Sequence, residues 1–497
     1  MQTSALVIGA TILYKLLGFT EKLVLAHFFG TGPAADAYLA GSGVVLLVGW
    51  LLGDIAGPSL IPVLLGDPAS ARRTLGAILG WTLVCVLPLS AAAWAGAAGL
   101  ARVFGPGFDA ATLAMTADVI RIGILALPVI CAAVVISAWY QAQERFVRLS
   151  LAELWLKVGP LLGVALLGGL RGLTLGLVLG AALRLISLVG RAVPLRPNLV
   201  RGDSGLAAAL RGGWPLMMTA LVSVHLIGVI ETALASTLGG GAVAALAYAR
   251  RVVDVPIILA PQVVARVAFP SLTTLALKRD TAALNTALRR FVRLTILIFV
   301  PLAVIGVVLT TPLVRMLFER GAFDERSVAD TSAAMLTIMP GLPALALSVL
   351  LVRFNYAVGD TRRPSVIRLL GALTQIGLAL WWRRWGLAGL GWATTVSLWA
   401  ETLALLWAAR RAVQAPPDVD LGWWLRVALA GAGCAAVVRA AAALLPPLEG
   451  TLGHLVALSG LSALGCATYG AVLALLRVVR PADLRRWRSA RVEAGEL

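Results

Sequence analysis

Long apolar runs, each bounded by Gly, Pro or a cluster of charges, recur along the whole chain. Residues 75–100 and 455–476 are two such runs without a single charge. About 20 mostly apolar residues suffice to cross ~30 Å of hydrocarbon. A backbone in lipid must satisfy its own hydrogen bonds, so these runs should be helices. The strict alternation of a membrane barrel is absent. Breaking the pattern at its Gly, Pro and charge punctuation predicts fourteen spans. They cover 3–29, 36–65, 75–100, 112–140, 146–168, 172–190, 207–238, 242–272, 291–311, 328–357, 364–382, 386–409, 423–444 and 452–476.

Composition excludes a soluble domain. Hydrophobic residues make up 60% and charged residues 13%, where a soluble domain carries ~25% charged residues. The fold class is therefore an all-α integral membrane protein. The net charge of +18 does not indicate nucleic acid, because the basic residues are scattered through short loops. Sorted by side, 22 of them follow even-numbered spans or lie in the tail, and 7 follow odd-numbered ones. The positive-inside rule then puts both termini in the cytoplasm, with Arg383 and Arg384 the local exception. The basic tail reads as a topology anchor beside anionic headgroups. Cys85, Cys131, Cys434 and Cys466 sit in apolar runs without metal or disulfide spacing. His27, His225 and His454 are isolated, which argues against a metal or catalytic role. The N-terminus lacks the basic region and cleavage site of a signal peptide, so the first span should remain in the mature protein.

The chain resembles itself at an offset of roughly 210 residues. Leu25-Ala26-His27-Phe28-Phe29-Gly30-Thr31-Gly32 lines up with Leu234-Ala235-Ser236-Thr237-Leu238-Gly239-Gly240-Gly241. Pro58-Ser59-Leu60 matches Pro270-Ser271-Leu272, and Phe104-Gly105-Pro106-Gly107-Phe108-Asp109 echoes Phe318-Glu319-Arg320-Gly321-Ala322-Phe323-Asp324. The simplest architecture is a duplicated six-helix unit: an N-terminal lobe over 1–200 and its repeat over 201–415. Two extra helices follow over 416–480, then a basic cytoplasmic tail over 481–497. An even number of helices per half makes the repeats parallel, related by a pseudo-two-fold axis along the membrane normal. Substrate sites in such folds lie between the halves near the midplane.

Charges inside the spans select the candidate site, since each costs ~2.5–3.5 kcal/mol at a span centre. The first span carries Lys15, Glu21 and Lys22, and the second Asp36 and Asp54. Across the repeat, span seven carries Glu231 and span eight Arg250, Arg251, Asp254 and Arg266. Spans four and five add Asp118, Arg121, Glu153 and Lys157. Arg250 and Arg251 are four and three residues before Asp254, so they can pair on one face. Basic residues in a low-dielectric cleft suit a phosphate or pyrophosphate. The competing reading is that these charges pair among themselves or snorkel, and it weighs most for Lys22, Asp36 and Asp118 near span ends.

Several of these stretches resemble the MurJ/MviN family of lipid II flippases, within the multidrug/oligosaccharidyl-lipid/polysaccharide exporter superfamily. They are Leu17-Gly18-Phe19, Ala26-His27-Phe28-Phe29-Gly30-Thr31-Gly32, Ala35-Asp36-Ala37-Tyr38, Tyr248-Ala249-Arg250-Arg251…Asp254-Val255-Pro256 and Phe269-Pro270-Ser271-Leu272. The most specific are Leu317-Phe318-Glu319-Arg320-Gly321-Ala322-Phe323 and Tyr356-Ala357-Val358-Gly359-Asp360-Thr361-Arg362-Arg363-Pro364. The resemblance implies a bacterial inner-membrane protein that carries an undecaprenyl-pyrophosphate-linked sugar to the outer leaflet for peptidoglycan or envelope synthesis. It implies alternating access in a V-shaped cavity, a lipid-tail groove formed by the last two spans, and no catalysis. Lys15 stands where the family has an essential arginine, Asp36 matches its acid in the second span, and Arg251 and Asp254 match a pair in the eighth.

The departures bear on the site. Glu21 precedes Lys22 where the family has an Arg-Asp order, and Val48-Gly49-Trp50-Leu51-Leu52-Gly53-Asp54 replaces an arginine-bearing segment. Two cavity arginines thus lack counterparts, with Lys22, Arg250 and Arg266 as substitutes, or the cargo is another lipid-linked oligosaccharide. The cargo-binding set is Lys15, Lys22, Asp36, Arg250, Arg251, Asp254 and Arg266. Some family members bind sodium, and here Glu231, Thr374 and Gln375 are the candidates for Na+ or H+ coupling, with no other cofactor. The expected partners are the lipid-linked sugar, membrane lipids and cell-wall synthesis enzymes, around a monomer. Two alternatives stay open: a cation-coupled exporter of small amphipathic molecules, and a non-transporting envelope scaffold.

Overall fold

The computed structural model describes residues 2–65, 67–189, 197–200, 205–211, 225–257, 280–413, 420–445 and 450–478, with positions 213, 221 and 275 between them. Helix follows helix. The order is α1 (Gln2–Phe29), α2 (Pro33–Leu64), α3 (Pro68–Ala95), α4 (Ala97–Phe104), α5 (Ala110–Gly123), α6 (Leu127–Ala142), α7 (Phe146–Glu153), α8 (Trp155–Leu167) and α9 (Gly169–Leu188). Then come α10 (Leu226–Ser236), α11 (Ala242–Ile257), α12 (Thr281–Val308), α13 (Thr310–Phe318), α14 (Glu325–Ile338) and α15 (Leu342–Ala357). The chain closes with α16 (Arg362–Trp382), α17 (Gly386–Ala412), α18 (Leu421–Leu444) and α19 (Gly450–Leu475).

Among the described residues, 10 segments are long and apolar enough to cross a membrane. One of them, Arg362–Ala412, is two helices, because the turn Arg383–Trp385 and Gly386 at φ +65° separate α16 from α17. α1 is equally long but carries Lys15, Glu21 and Lys22. α10 and α11 are the described parts of the seventh and eighth expected spans. The fourteen-span expectation is thus consistent with the helices seen.

Two boundaries differ from the expected ones for physical reasons. The apolar run 75–100 does not stay one helix: α3 ends at Gly96, and α4 buries Ala97, Ala101 and Phe104 on one stripe while Val103 is exposed. The ninth span begins ten residues earlier than its apolar stretch, because Asp280 caps α12 through Ala283 N at 2.9 Å. Its polar first turns, with Asn285 and Arg289, extend past the apolar run. Aspartate caps recur: Asp67, Asp109, Asp324, Asp360 and Asp420 each accept a backbone N–H two or three residues into the next helix. Such a carboxylate satisfies one of the orphan donors of a helix start. Hydrogen bonds from Thr112 and from Ser327 hold the Asp109 and Asp324 carboxyls below the ordinary carboxylate range.

The internal repeat is written into element lengths. α5, a 3₁₀ turn and α6 run 14, 3 and 16 residues, and α14, a 3₁₀ turn and α15 also run 14, 3 and 16. In both, a Pro in the first turn after the 3₁₀ segment (Pro128, Pro343) cannot donate to the α-helical ladder, which fixes the break. The same Asp cap opens both, at Asp109 and Asp324.

The chain groups into two compact units. Unit 1 is Met1–Arg251, Phe318–Thr331 and Ala372–Leu390, and unit 2 is Val252–Leu317, Ser332–Gly371 and Gly391–Leu497. In unit 1, α2, α3 and α9 pack on Ala133, Ile136 and Tyr140 of α6, and Tyr140 donates to Leu188 O at 2.8 Å. In unit 2, Leu288, Leu351, Leu405, Val427 and Leu461 bring α12, α15, α17, α18 and α19 into one core.

Helix association in lipid relies on close packing of small residues. α8 and α9 meet through Gly159 and Gly163 on one side and Gly172, Gly176 and Gly180 on the other, backbone against backbone. A Cβ at Gly176 would strike Gly159 O and lie 2.8 Å from Pro160 Cα. Replacing Gly176 by Val should therefore cost about 1–3 kcal/mol as an overpacked interface. The thermal midpoint of detergent-purified protein should fall, while Gly470→Ala, which faces open space, should leave it unchanged.

Candidate functional site

The turn between α1 and α2 is made by Gly30 at φ +56°, a region a side chain rarely enters. A Cβ there would strike Ala322 O, so the position needs glycine twice over. Around this turn unit 1 gathers its most specific sequence motifs. Ala322 N donates to His27 O at 2.8 Å, Tyr248 Oη donates to Gly30 O at 2.9 Å, and the Thr31 and Ser327 hydroxyls share a bond of 2.8 Å. The Tyr248 ring lies 5.3 Å from that of Phe318, which lies 5.6 Å from Phe323 and 6.3 Å from Phe19. These stretches therefore form a latch that ties the ends of α1, α2, α11 and α13 together.

Asp36, fully buried, completes the latch. Its two carboxylate oxygens accept from Gly241 N at 2.7 Å and Ala244 N at 2.8 Å, at the start of α11. The carboxylate thus caps a helix 205 residues away, and the positive end of that helix's dipole favours its charge. Asp36, expected in the cargo-binding set, has both carboxylate oxygens on backbone N–H groups.

The register this sets on α11 fixes Arg250 and Arg251. At ~1.5 Å per residue, Arg251 on α11 and Glu21 on α1 both lie about 12–14 Å inside the latched ends. The Arg251 guanidinium and the Lys157 side chain of α8 converge on Gly18, where a Cβ would strike the guanidinium and sit 3.5 Å from Lys157 Cε. Lys157 Nζ donates to Glu21 at 2.8 Å, and Lys22 lies 3.7 Å from the other Glu21 oxygen. Lys157 also sits 5.9 Å from the Tyr14 ring. Arg251 Nε is buried without a hydrogen-bond partner among the described residues. Three cations thus surround one carboxylate. Such a cluster can accept a dianion at little reorganisation, because the desolvation of its cations is already borne by the fold.

A second cluster uses the neighbouring arginine. Arg250 pairs with Glu231 of α10, and Gln375 Nε2 of α16 donates to the same Glu231 oxygen at 2.8 Å. The structure therefore brings Glu231 and Gln375 together, with the Arg250 guanidinium on the same carboxylate oxygen. Thr374 beside them is exposed. Asp254 is exposed too, and Lys15 is exposed with no ion pair among the described residues. Arg266 lies outside the described residues. Glu21 and Lys157 stand in the first cluster but were not in the expected cargo-binding set. Their one signal was charge at span depth, since no helical spacing links residues 136 apart.

Two copies of a six-helix unit plus two helices, with cations held at membrane depth around one carboxylate, define the double-repeat class of polytopic membrane transporters. The chain belongs to the lipid II flippase MurJ family, whose profile, "Lipid II flippase MurJ", matches residues 25–456. It is 26% identical to a "Probable lipid II flippase MurJ" of Rhizobium meliloti, covering 80% of this chain and 78% of that one. A protein of the same description from Vibrio cholerae is 24% identical over 98% of this chain and 97% of its own. "Lipid II flippase MurJ" of Burkholderia cenocepacia is 25% identical over 86% and 87%. Among solved structures, a lipid II flippase MurJ in an inward closed conformation aligns with a TM-score of 0.80 at 19% identity, covering 94% of this chain and 98% of that one. An inward-facing multidrug resistance MATE family transporter aligns at 0.66 and 17% identity, over 81% and 95%.

The latch generates a stability prediction. Asp36→Ala leaves two buried backbone N–H groups unsatisfied, which should cost about 1–3 kcal/mol. Asp36→Asn retains one acceptor and should cost less. Thermal unfolding of the two purified variants beside the wild type checks this order.

Proposed function

We propose that this chain carries a polyprenyl-pyrophosphate-linked sugar, lipid II or a related lipid-linked oligosaccharide, from the cytoplasmic to the outer leaflet by alternating access. The observation that carries this reading is the cluster of Lys22, Lys157 and Arg251 around Glu21. Three cations to one carboxylate at span depth suit a pyrophosphate and disfavour the organic cations of a drug exporter. Family membership gives the same cargo class, since the relatives are named as lipid II flippases.

In this reading both termini are cytoplasmic and the latch closes the outer end of the pathway. The sugar headgroup enters from the cytoplasm, and its pyrophosphate replaces water around Arg251 and Lys157. Opening then breaks the bonds at His27, Gly30 and Asp36 while the tail stays in lipid beside the last two helices. Residues 1–200 and 201–415 are the rocking lobes, 416–480 carry the tail groove, and the basic stretch 481–497 anchors the cytoplasmic end. Asp36 positions α11 rather than touching cargo, whereas Lys15, exposed on the face of Lys22, makes first contact.

Coupling through Glu231 would require a cation to displace Arg250 from it. The reading favoured is that the positive cluster responds to membrane potential, at ~2.3 kcal/mol per charge per 100 mV.

Reconstitution into proteoliposomes tests the proposal. A fluorescent lipid-linked precursor should become accessible to an external quencher only with active protein, and Arg251→Ala or Lys157→Ala should slow this at least ~10-fold, the effect of losing one charge-assisted contact of ~1.5–3 kcal/mol. Wild-type rates in both variants would refute the cargo site. Flipping should also persist when choline replaces sodium and should slow when the potential is collapsed; a strict sodium requirement would contradict the role given to Arg250.

A further inference from the structure

One charged group at span depth belongs to neither cluster. Asp54 stands near the middle of the expected second span, and its side chain is 51% exposed. Its Oδ2 lies 2.9 Å from Nε2 of His225, the residue before α10. Trp50, one turn earlier on α2, is also half-exposed, and its ring stacks on the His225 imidazole at 6.4 Å and 14°. All three residues belong to unit 1. We propose that Trp50 and Asp54 form a sugar subsite, in which a pyranose ring of the lipid-linked cargo lies on the indole and donates hydroxyls to the carboxylate. The subsite rests on the cargo class proposed above and concerns the part of the cargo that the cations around Glu21 do not address.

A carboxylate at this depth faces a wet cavity or a partner. His225, with its side chain 8% exposed, is one partner but engages a single oxygen. Asp54 Oδ1 has no partner among the described residues. The open half of Asp54 therefore faces water, and Trp50, four residues before it, shares that helix face. There is room beside them: a Cβ at Gly53, or at Gly228 three residues past His225, would meet nothing within 4 Å.

An indole supplies a rigid apolar face with an N–H at its edge. A pyranose presents a matching face of C–H groups ringed by hydroxyls. The carboxylate accepts only, which suits those hydroxyls as donors. His225 orients both groups, since it holds the carboxylate through Nε2 and backs the indole. An organic cation also suits an indole beside an acid, but Lys22, Lys157 and Arg251 in the same unit repel one. At ~1.5 Å per residue, Trp50 and His225 lie roughly 5–15 Å farther from the latched ends than Arg251 does. A pyrophosphate held at Arg251 thus brings the first sugars attached to it within reach of the indole.

Binding to full-length protein in detergent, measured with undecaprenyl pyrophosphate and with the same lipid carrying a disaccharide, tests the subsite. Wild type should bind the sugar-bearing lipid more tightly than the bare one. Trp50→Ala and Asp54→Asn should each weaken the sugar-bearing lipid about 10-fold, the effect of one aromatic or charge-assisted contact, and leave the bare lipid unchanged. Trp50→Tyr should keep most of the affinity, and it serves if Trp50→Ala does not fold. Arg251→Ala should weaken both lipids. Equal affinity of wild type for the two lipids, or wild-type affinity for the sugar-bearing one in both variants, would overturn the subsite and leave the flippase reading standing. An equal loss for both lipids would also overturn it, since the residues would then hold helices and not sugar. Failure of wild type to bind either lipid would remove the cargo class, and the subsite with it. Tetraphenylphosphonium binding that exceeds that of the sugar-bearing lipid and is lost in Asp54→Asn would assign the face to an organic cation and overturn the proposal.

Discussion

The buried carboxylate of Asp36 sets the geometry on which the candidate site rests. It holds the first turn of α11 with two backbone hydrogen bonds, and everything further along α11 inherits that register. Tyr248 reaches Gly30, Arg250 reaches Glu231, and Arg251 reaches Gly18. A buried cap of this kind is worth more than its hydrogen bonds, since the alternative is two unpaired N–H groups in a medium without water. The turn at Gly30 and the segment around Ala322 add further bonds to the same latch.

Beyond the latch, the chain solves one electrostatic problem twice. Charges at membrane depth are tolerated when they meet partners, and each basic cluster here is built around a single carboxylate: Glu21 for Lys22 and Lys157, Glu231 for Arg250. The outcomes differ. Around Glu231 the arginine and Gln375 converge on the same carboxylate oxygen. Around Glu21 cations outnumber the acid, and Arg251 keeps a buried nitrogen without a partner among the described residues. The first arrangement ties helices together, and the second leaves attraction to spare for an anion.

Much of the fold was legible in the sequence because lipid imposes a simple grammar of apolar run and punctuation. The fourteen spans and the repeat followed from it, and the repeat reappears as matching helix lengths around Pro128 and Pro343. Helix ends were less legible. Polar first turns such as that of α12 continue beyond the hydrocarbon, and an apolar run such as 75–100 can hold a glycine break. The site was legible only in part. Helical spacing put Arg250 and Arg251 on one face with Asp254; the partner of Arg250 on the preceding helix and the approach of Arg251 to Gly18 lie beyond what spacing within one helix can show. The capping of α11 by Asp36 was not legible, because a cap contributed from 205 residues away leaves no local signature. Lys157 escaped for the same reason: its meaning comes from Glu21 on another helix.

In the proposed flippase the cations around Gly18, and not the carboxylate among them, hold the cargo. The most direct test measures binding of a polyprenyl-pyrophosphate-linked sugar to purified wild type, Lys157→Gln and Glu21→Gln. Lys157→Gln should weaken binding at least ~10-fold. Glu21→Gln should bind as tightly as wild type or more tightly, although its loss of a buried partner lowers thermal stability. Wild-type affinity in Lys157→Gln, or an equal loss in Glu21→Gln, would contradict the account.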